Sequence, residues 1–189
     1  GLSQEKSLVK QCKATISSLK NLGISPGNVD VDLAPIELRA HLASLYHSYQ
    51  KKLQECQAVD FNDLLLLPAQ ILDNNPAIAQ RMQQRWPFIL IDEYQDTNFV
   101  QNKIVKILAA STKNVFAVGD PDQCIYSWRG ANYENILRFE QDFPGAELVI
   151  LEENYRSTNT ILRASNALIE KNPSRYQKKL WSSLGDGEK

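Results

Sequence analysis

The run Phe-Ile-Leu-Ile-Asp-Glu-Tyr-Gln-Asp-Thr at positions 88–97 constrains this chain more than any other stretch. Four apolar residues, Phe88 to Ile91, stop at two adjacent acids, Asp92 and Glu93. A short apolar run fits a buried parallel strand, and open α/β sheets bind ligands beyond the carboxyl ends of their strands. Two neighbouring carboxylates on such an edge repel one another unless a ligand compensates. A Mg²⁺ ion held by Asp92, with Glu93 free to orient or deprotonate a water, would do so. That is the Walker B arrangement of a nucleotide-hydrolysing site. An ordinary strand-to-helix turn is the alternative, and this run alone leaves both open.

A second string repeats the design. Val115 to Val118 run into Gly119, Asp120 and a polar turn, followed by Gln123 and then by Tyr126, Trp128 and Arg129. Flat aromatic faces beside a guanidinium suit the stacking of unpaired bases. The competing reading makes Tyr126 and Trp128 core aromatics. The turn Gly119-Asp120-Pro121-Asp122 and the flanking Arg129-Gly130 favour a polar loop instead. A third string, Leu-Glu-Glu-Asn-Tyr-Arg-Ser-Thr at 151–158, follows a further apolar run and carries Asn154, Tyr155 and Arg156.

In this order, the three strings resemble motifs II, III and IV of the UvrD/Rep-type superfamily 1 DNA helicases. Val-Asp-Phe-Asn-Asp-Leu-Leu-Leu-Leu at 59–67 resembles the family's Asp-Phe-Asp-Asp-Leu stretch, with Asn62 in place of an acid. Cys124 similarly replaces a serine. Neither is a catalytic position in the family, so the assignment stands. The resemblance covers roughly positions 55–172. It implies ATP and Mg²⁺ as cofactors, and single-stranded DNA as the partner together with the remainder of a helicase chain. By matching position, Asp92 would hold Mg²⁺ and Glu93 would be the base. Gln95 and Asp96 would shape the site and link it to motif III, and Gln123 would sense the γ-phosphate. Tyr126, Trp128 and Arg129 would contact single-stranded DNA. Tyr155 would stack on the nucleotide base, and Arg156 would be an arginine finger, with a surface ion pair to Glu152 or Glu153 as its alternative.

One expected part is absent. A Walker A loop needs Gly-x-x-x-x-Gly-Lys-Ser/Thr to cradle phosphates, and no glycine here precedes a lysine. With no initiator methionine either, the expectation is an internal piece of a larger helicase. A naturally short, non-catalytic relative that binds DNA or protein is the alternative. The leading expectation is an ATP-driven 3′→5′ translocase in DNA repair, replication or recombination, with 189 residues alone expected to be inactive.

Charge and cysteine content fit such a chain without selecting it. The net charge is −1, but positions 111–153 carry three basic residues against eight acidic ones, and 154–189 carry seven against three. Three scattered cysteines lack metal-ligand spacing and argue for a reducing compartment, so cytoplasm and nucleoid, or a nucleus, are the expected locations. No apolar run approaches the ~18 residues of a membrane span.

The expected architecture is α/β: a partial RecA-like parallel sheet of the P-loop NTPase type behind an N-terminal helical segment. Leu8, Val9, Cys12, Ile16 and Leu19 recur at helical spacing, as do Leu38, Leu42, Leu45, Tyr49, Leu53 and Cys56. Positions 23–35 read as a loop. Helices are expected over 64–72, 98–110, 132–140 and 158–168, the last capped by Thr158. Asp73-Asn74-Asn75-Pro76 reads as a loop, and strands are expected at 88–91, 115–118 and 148–151. A tail from Pro173, poor in large apolar residues, is expected to fray in isolation. By resemblance, 1–57 would end a helical accessory insertion. Positions 58–145 would be the second half of the first motor domain, and 146–189 the start of the second. With each sheet incomplete, marginal stability is expected.

Overall fold

The computed structural model describes residues 2–172 and 176–188. They form a mixed structure of helices and a small two-stranded parallel sheet, consistent with the α/β class. No helix among them is long and apolar enough to cross a membrane. The start of the expected tail, at Pro173, lies outside the described residues.

Helix α1 (Leu2–Asn21) and helix α2 (Leu42–Glu55) pack through Ile16, Leu19, Leu42 and Tyr46, joined by Ala34 and Leu38 from the connecting segment. Leu38 belongs to the expected apolar stripe but precedes the helix. Pro35 starts a tight turn there, closed by the Leu38 N–H on the Pro35 carbonyl at 2.9 Å. The buried Tyr46 hydroxyl donates to the Ile24 carbonyl at 3.0 Å and holds the loop against α2.

Helix α3 (Asp63–Asn74) runs almost directly into helix α4 (Pro76–Arg85), where a loop is expected. Asn75 sits at the N-cap position and Pro76 at the first helical turn. Proline is tolerated there because that N–H has no helical partner. Asn-Pro is therefore a helix start here rather than a loop. Helix α5 (Phe99–Ala109) begins where expected, on a reciprocal capping box between Asn98 and Gln101. Its Val100 packs with Leu66 and Ala69 of α3.

Strands β1 (Ile89–Ile91) and β2 (Val115–Ala117) pair in parallel, with Ile89 opposite Val115 and Ile91 opposite Ala117. Neither is fully buried. Leu90 is 77 % exposed and Phe116 65 %, because side chains alternate across a strand and only one face is covered. The third expected strand is absent: Leu148 to Leu151 are all exposed and form no ladder. A strand persists only when a neighbour pairs its backbone, and β1 and β2 pair with each other elsewhere. Just beyond this run, a single bridge joins Glu153 to Trp181.

The helix expected over 132–140 is two short pieces, α6 (Glu134–Leu137) and α7 (Phe139–Asp142), interrupted at Arg138 with φ −98° and ψ 9°. Helix α8 (Asn159–Ile169) has Thr158 at its N-cap position, yet the Thr158 side chain makes no capping hydrogen bond. Residues 176–188 lie along α8. The Asn159 N–H donates to the Gly185 carbonyl at 2.8 Å, and Asn166 Nδ2 to the Leu180 carbonyl at 2.8 Å.

Candidate functional site

Two backbone bonds continue the strand pairing past its end and so build the site. Val118 N–H donates to the Ile91 carbonyl at 2.8 Å, and Tyr94 N–H to the Val118 carbonyl at 2.9 Å. Asp92-Glu93 and Gly119-Asp120 therefore leave the sheet side by side. Both acids are exposed, and Asp92 Oδ1 accepts the Glu93 N–H at 3.0 Å.

Glu93 adopts the left-handed region, with φ 51° and ψ 45°. For a residue with a Cβ this costs on the order of 1–3 kcal/mol and persists only where the surroundings enforce it. The next two residues supply that enforcement. Tyr94 is fully buried, its ring set edge-on to Phe139 at 5.4 Å and its hydroxyl donating to Asn102 Oδ1 at 2.7 Å. Burial first, and the Asp142 charge second, push its hydroxyl pKa up to about 12. Gln95 is buried as well.

Gln95 links the two strand ends. Its Nε2 donates to Glu93 Oε2 at 2.7 Å, and its Oε1 accepts the Asp120 N–H at 2.9 Å. Asp120 Oδ2 in turn accepts from Gln123 Nε2 at 2.8 Å. A hydrogen-bonded chain thus runs from Glu93 through Gln95 and Asp120 to Gln123. Gly119 is required for it: a Cβ at that position would lie 2.7 Å from Gln95 Oε1 and 2.8 Å from Ile136 Cδ1. Asp96 lies beneath, its N–H on the Glu93 carbonyl at 2.9 Å and its Oδ1 buried with no hydrogen-bond partner among the described residues. The Cys124 thiol donates to the Gln95 carbonyl at 3.4 Å, and burial pushes its pKa up, reinforced by Asp96.

Lys178 is a member that sequence reasoning missed. It pairs with Asp120 and lies 3.5 Å from Asp122. Burial pushes the Asp120 carboxyl up, but Lys178 and Gln123 outweigh burial and leave it below the usual carboxylate range. The one available signal was the charge asymmetry, with a basic segment following an acidic one.

Beyond Gln123 the chain forms a one-turn helix over Ser127–Arg129, ended by Gly130 at φ 91°. Trp128 is 72 % exposed, so it is no core aromatic. The Tyr126 and Trp128 rings lie 6.5 Å apart, with the Arg129 guanidinium 5.5 Å from the first and 4.5 Å from the second. A groove of about 560 Å³ is lined by Trp128 and Arg129 of this turn and by Ser17, Asn21 and Asn62. Tyr155 and Arg156 are not brought into the cluster. Both are exposed; Tyr155 donates to Glu153 Oε2 at 2.9 Å, and Asn154 Oδ1 accepts the Arg156 N–H at 3.0 Å. Among the described residues Arg156 makes no ion pair, and Glu152 Oε1 instead accepts the Lys179 N–H at 2.8 Å.

The chain is thus a helix-rich α/β chain in which paired acids at the carboxyl edge of a parallel pair are hydrogen-bonded to a loop that exposes an aromatic pair. Residues 2–144 match the UvrD/REP helicase N-terminal domain, and the chain belongs to that family. It is 45 % identical over 173 residues to the ATP-dependent DNA helicase PcrA of Leuconostoc citreum, covering 92 % of this chain and 23 % of that protein. It is 45 % identical over 179 residues to DNA helicase II of Escherichia coli strain K12, covering 95 % and 25 %. For the PcrA of Staphylococcus aureus strain Mu50 the identity is 42 % over 174 residues, covering 92 % and 24 %. The chain thus spans about a quarter of the length of these curated relatives.

Proposed function

We propose that this chain is part of an ATP-dependent DNA helicase, in which hydrolysis at the sheet edge drives movement along single-stranded DNA in the 3′→5′ direction. The observation that carries this reading is the hydrogen-bonded chain from Glu93 through Gln95 and Asp120 to Gln123. It joins the paired acids to the loop that exposes Tyr126, Trp128 and Arg129, so a change at one surface has a route to the other.

The residues fit a magnesium-nucleotide. Mg²⁺ takes one or two carboxylates and completes its shell with water and phosphates. Asp92 offers one exposed carboxylate, and no group of three His, Cys, Asp or Glu ligands occurs among the described residues. The metal-nucleotide would supply charge neutralisation at the transferring phosphoryl group. Glu93, held in its strained conformation by buried Tyr94 and Gln95, would accept the proton of the attacking water. Gln95 and Asp96 would fix that geometry, and Gln123 would register the terminal phosphate through its amide. Tyr155 would stack on the nucleotide base. Arg156, free of any ion pair among the described residues, would act as the finger, a contribution typically about 10³–10⁵ in rate.

Within this reading the fold is the RecA-like P-loop type. Positions 1–57 are a helical accessory segment, 58–145 half of one motor domain and 146–189 the beginning of the next. The remainder of the helicase chain supplies the phosphate-cradling loop, and the protein works inside the cell on DNA.

The rival is a helicase-like module that binds DNA or protein without hydrolysis. ATP turnover by the purified full-length protein, with and without single-stranded DNA, separates the two. Turnover near ~1–100 s⁻¹ that rises with DNA is the expected result. Tight DNA binding without turnover would establish the rival.

A further inference from the structure

Helix α1 ends against the aromatic turn, and its last residue, Asn21, sits at the centre of a cluster of side-chain amides. Asn98 Oδ1 is committed to the Gln101 N–H at 2.8 Å as the cap of α5. That commitment leaves Asn98 Nδ2 to face Asn21, and it donates to Asn21 Oδ1 at 3.2 Å. Asn62 Nδ2 donates to the same oxygen at 2.7 Å, while Ser17 Oγ donates to Asn62 Oδ1 at 3.1 Å and holds it there. Two donors on one oxygen determine which way an amide faces. Asn21 Nδ2 is thereby turned onto the Arg129 carbonyl, at 3.2 Å. Gly130 completes the contact: a Cβ there would lie 2.8 Å from Asn21 Nδ2, so the turn's backbone rests on the amide itself.

We propose that Asn21 is a positioning residue for the DNA-contacting turn, setting the orientation of Trp128 and Arg129 through the Arg129 carbonyl. It also links that turn to Asn98, three positions after Gln95. The proposal rests on the DNA reading given above. Asn21 itself touches no base and no phosphate. Its partners come from three separate elements, so it fixes the turn relative to α1, α3 and α5 at once. The amide cannot be exchanged for a carboxylate: an aspartate keeps both accepted bonds but has no donor for the Arg129 carbonyl.

Single-stranded DNA affinity of the full-length protein, measured by anisotropy of a labelled mixed-base oligonucleotide, tests this. Asn21→Asp and Asn21→Ala should each weaken binding roughly 2- to 10-fold, the range for one lost hydrogen bond. In a background carrying both Trp128→Ala and Arg129→Ala, the same Asn21→Asp change should weaken binding by a clearly smaller factor than in the parent, because the groups it positions are gone. Affinity is counted per folded molecule, so a loss of folded protein does not imitate the effect. Unchanged affinity in Asn21→Asp, or an equal loss in both backgrounds, overturns the positioning role while leaving the DNA reading intact. If the Trp128→Ala and Arg129→Ala background itself binds DNA like the parent, the DNA reading fails and takes the positioning role with it.

Discussion

Trp128 has the most informative environment of any single side chain. It lies mostly in solvent with Arg129 stacked 4.5 Å from its ring, an arrangement that stabilises little in the folded protein but presents a flat face. In the full-length protein, Trp128→Ala should weaken single-stranded DNA binding by about 1–3 kcal/mol, roughly 5- to 150-fold. The melting temperature should hardly move, whereas removal of a buried aromatic costs about 3–5 kcal/mol. Normal affinity with a lowered melting temperature would sink the stacking role. Gly119 gives the opposite case. Gly119→Ala drives a methyl group into Gln95 Oε1 and should destabilise by about 1–3 kcal/mol. Gly27→Ala, with nothing beyond its chain neighbours within 4 Å, should be near neutral when both variants are compared by urea titration. Asp92 and Glu93 stood out in sequence because they directly follow an apolar run, and Gln95 and Gln123 because they stand a few positions beyond one, in strings that resemble helicase motifs. Asn21 and Lys178 did not. Their partners lie 108 and 58 positions away, a separation at which no local pattern carries information.

At the scale of elements, α1, α2 and α3 meet around a buried ion cluster. Lys20 Nζ lies 2.7 Å from both Asp60 and Asp63, with its side chain fully buried. Tyr49 donates to Asp60 at 2.9 Å and Gln50 Nε2 to Asp63 at 3.2 Å. Lys20→Ala strands two carboxylates beside one another and should destabilise by about 3–5 kcal/mol, read as a shift in the urea midpoint. The acid side follows from Asp60. Burial pushes its carboxyl up, but Lys20, the Asp63 N–H and Tyr49 outweigh burial and hold it below the usual value of 3.8. A folded-state value below the unfolded one makes its contribution complete above that value and lost as pH falls through the lowered one. Stability measured downward from pH 5 should therefore decline chiefly below about pH 4, and less steeply in Lys20→Ala. Apolar periodicity made α1 legible, and α5 and α8 lie where helices were expected, although the Thr158 side chain forms no capping bond. Sequence patterns failed at α4, where Asn-Pro starts a helix instead of a loop, and at 148–151, whose apolar composition suits a strand but finds no partner.

On the scale of the whole molecule, the apolar surface left open is the telling feature. Leu90 and Phe116 on the sheet and Leu148 to Leu151 beyond it stand exposed, an area that ordinary soluble chains cover. With two strands and a one-sided cover, these 189 residues alone should unfold at low urea. They should also show no DNA-stimulated turnover at the ~1–100 s⁻¹ of phosphoryl-transfer enzymes, because their sequence holds no Gly-Lys phosphate loop. Helicase-like turnover by the purified 189-residue chain, free of contaminating ATPases, would contradict that.

Glu93, the strained acid at the end of β1, is the proposed base of an ATP-hydrolysing, DNA-linked site. Glu93→Gln in the full-length protein tests that role most directly, since the amide keeps the shape and removes the basic oxygen. Nucleotide and single-stranded DNA affinities should stay within a few-fold of the parent, while DNA-stimulated turnover drops about 10²–10⁴-fold. Turnover at the parent rate, with both affinities intact, would show that Glu93 is not the base.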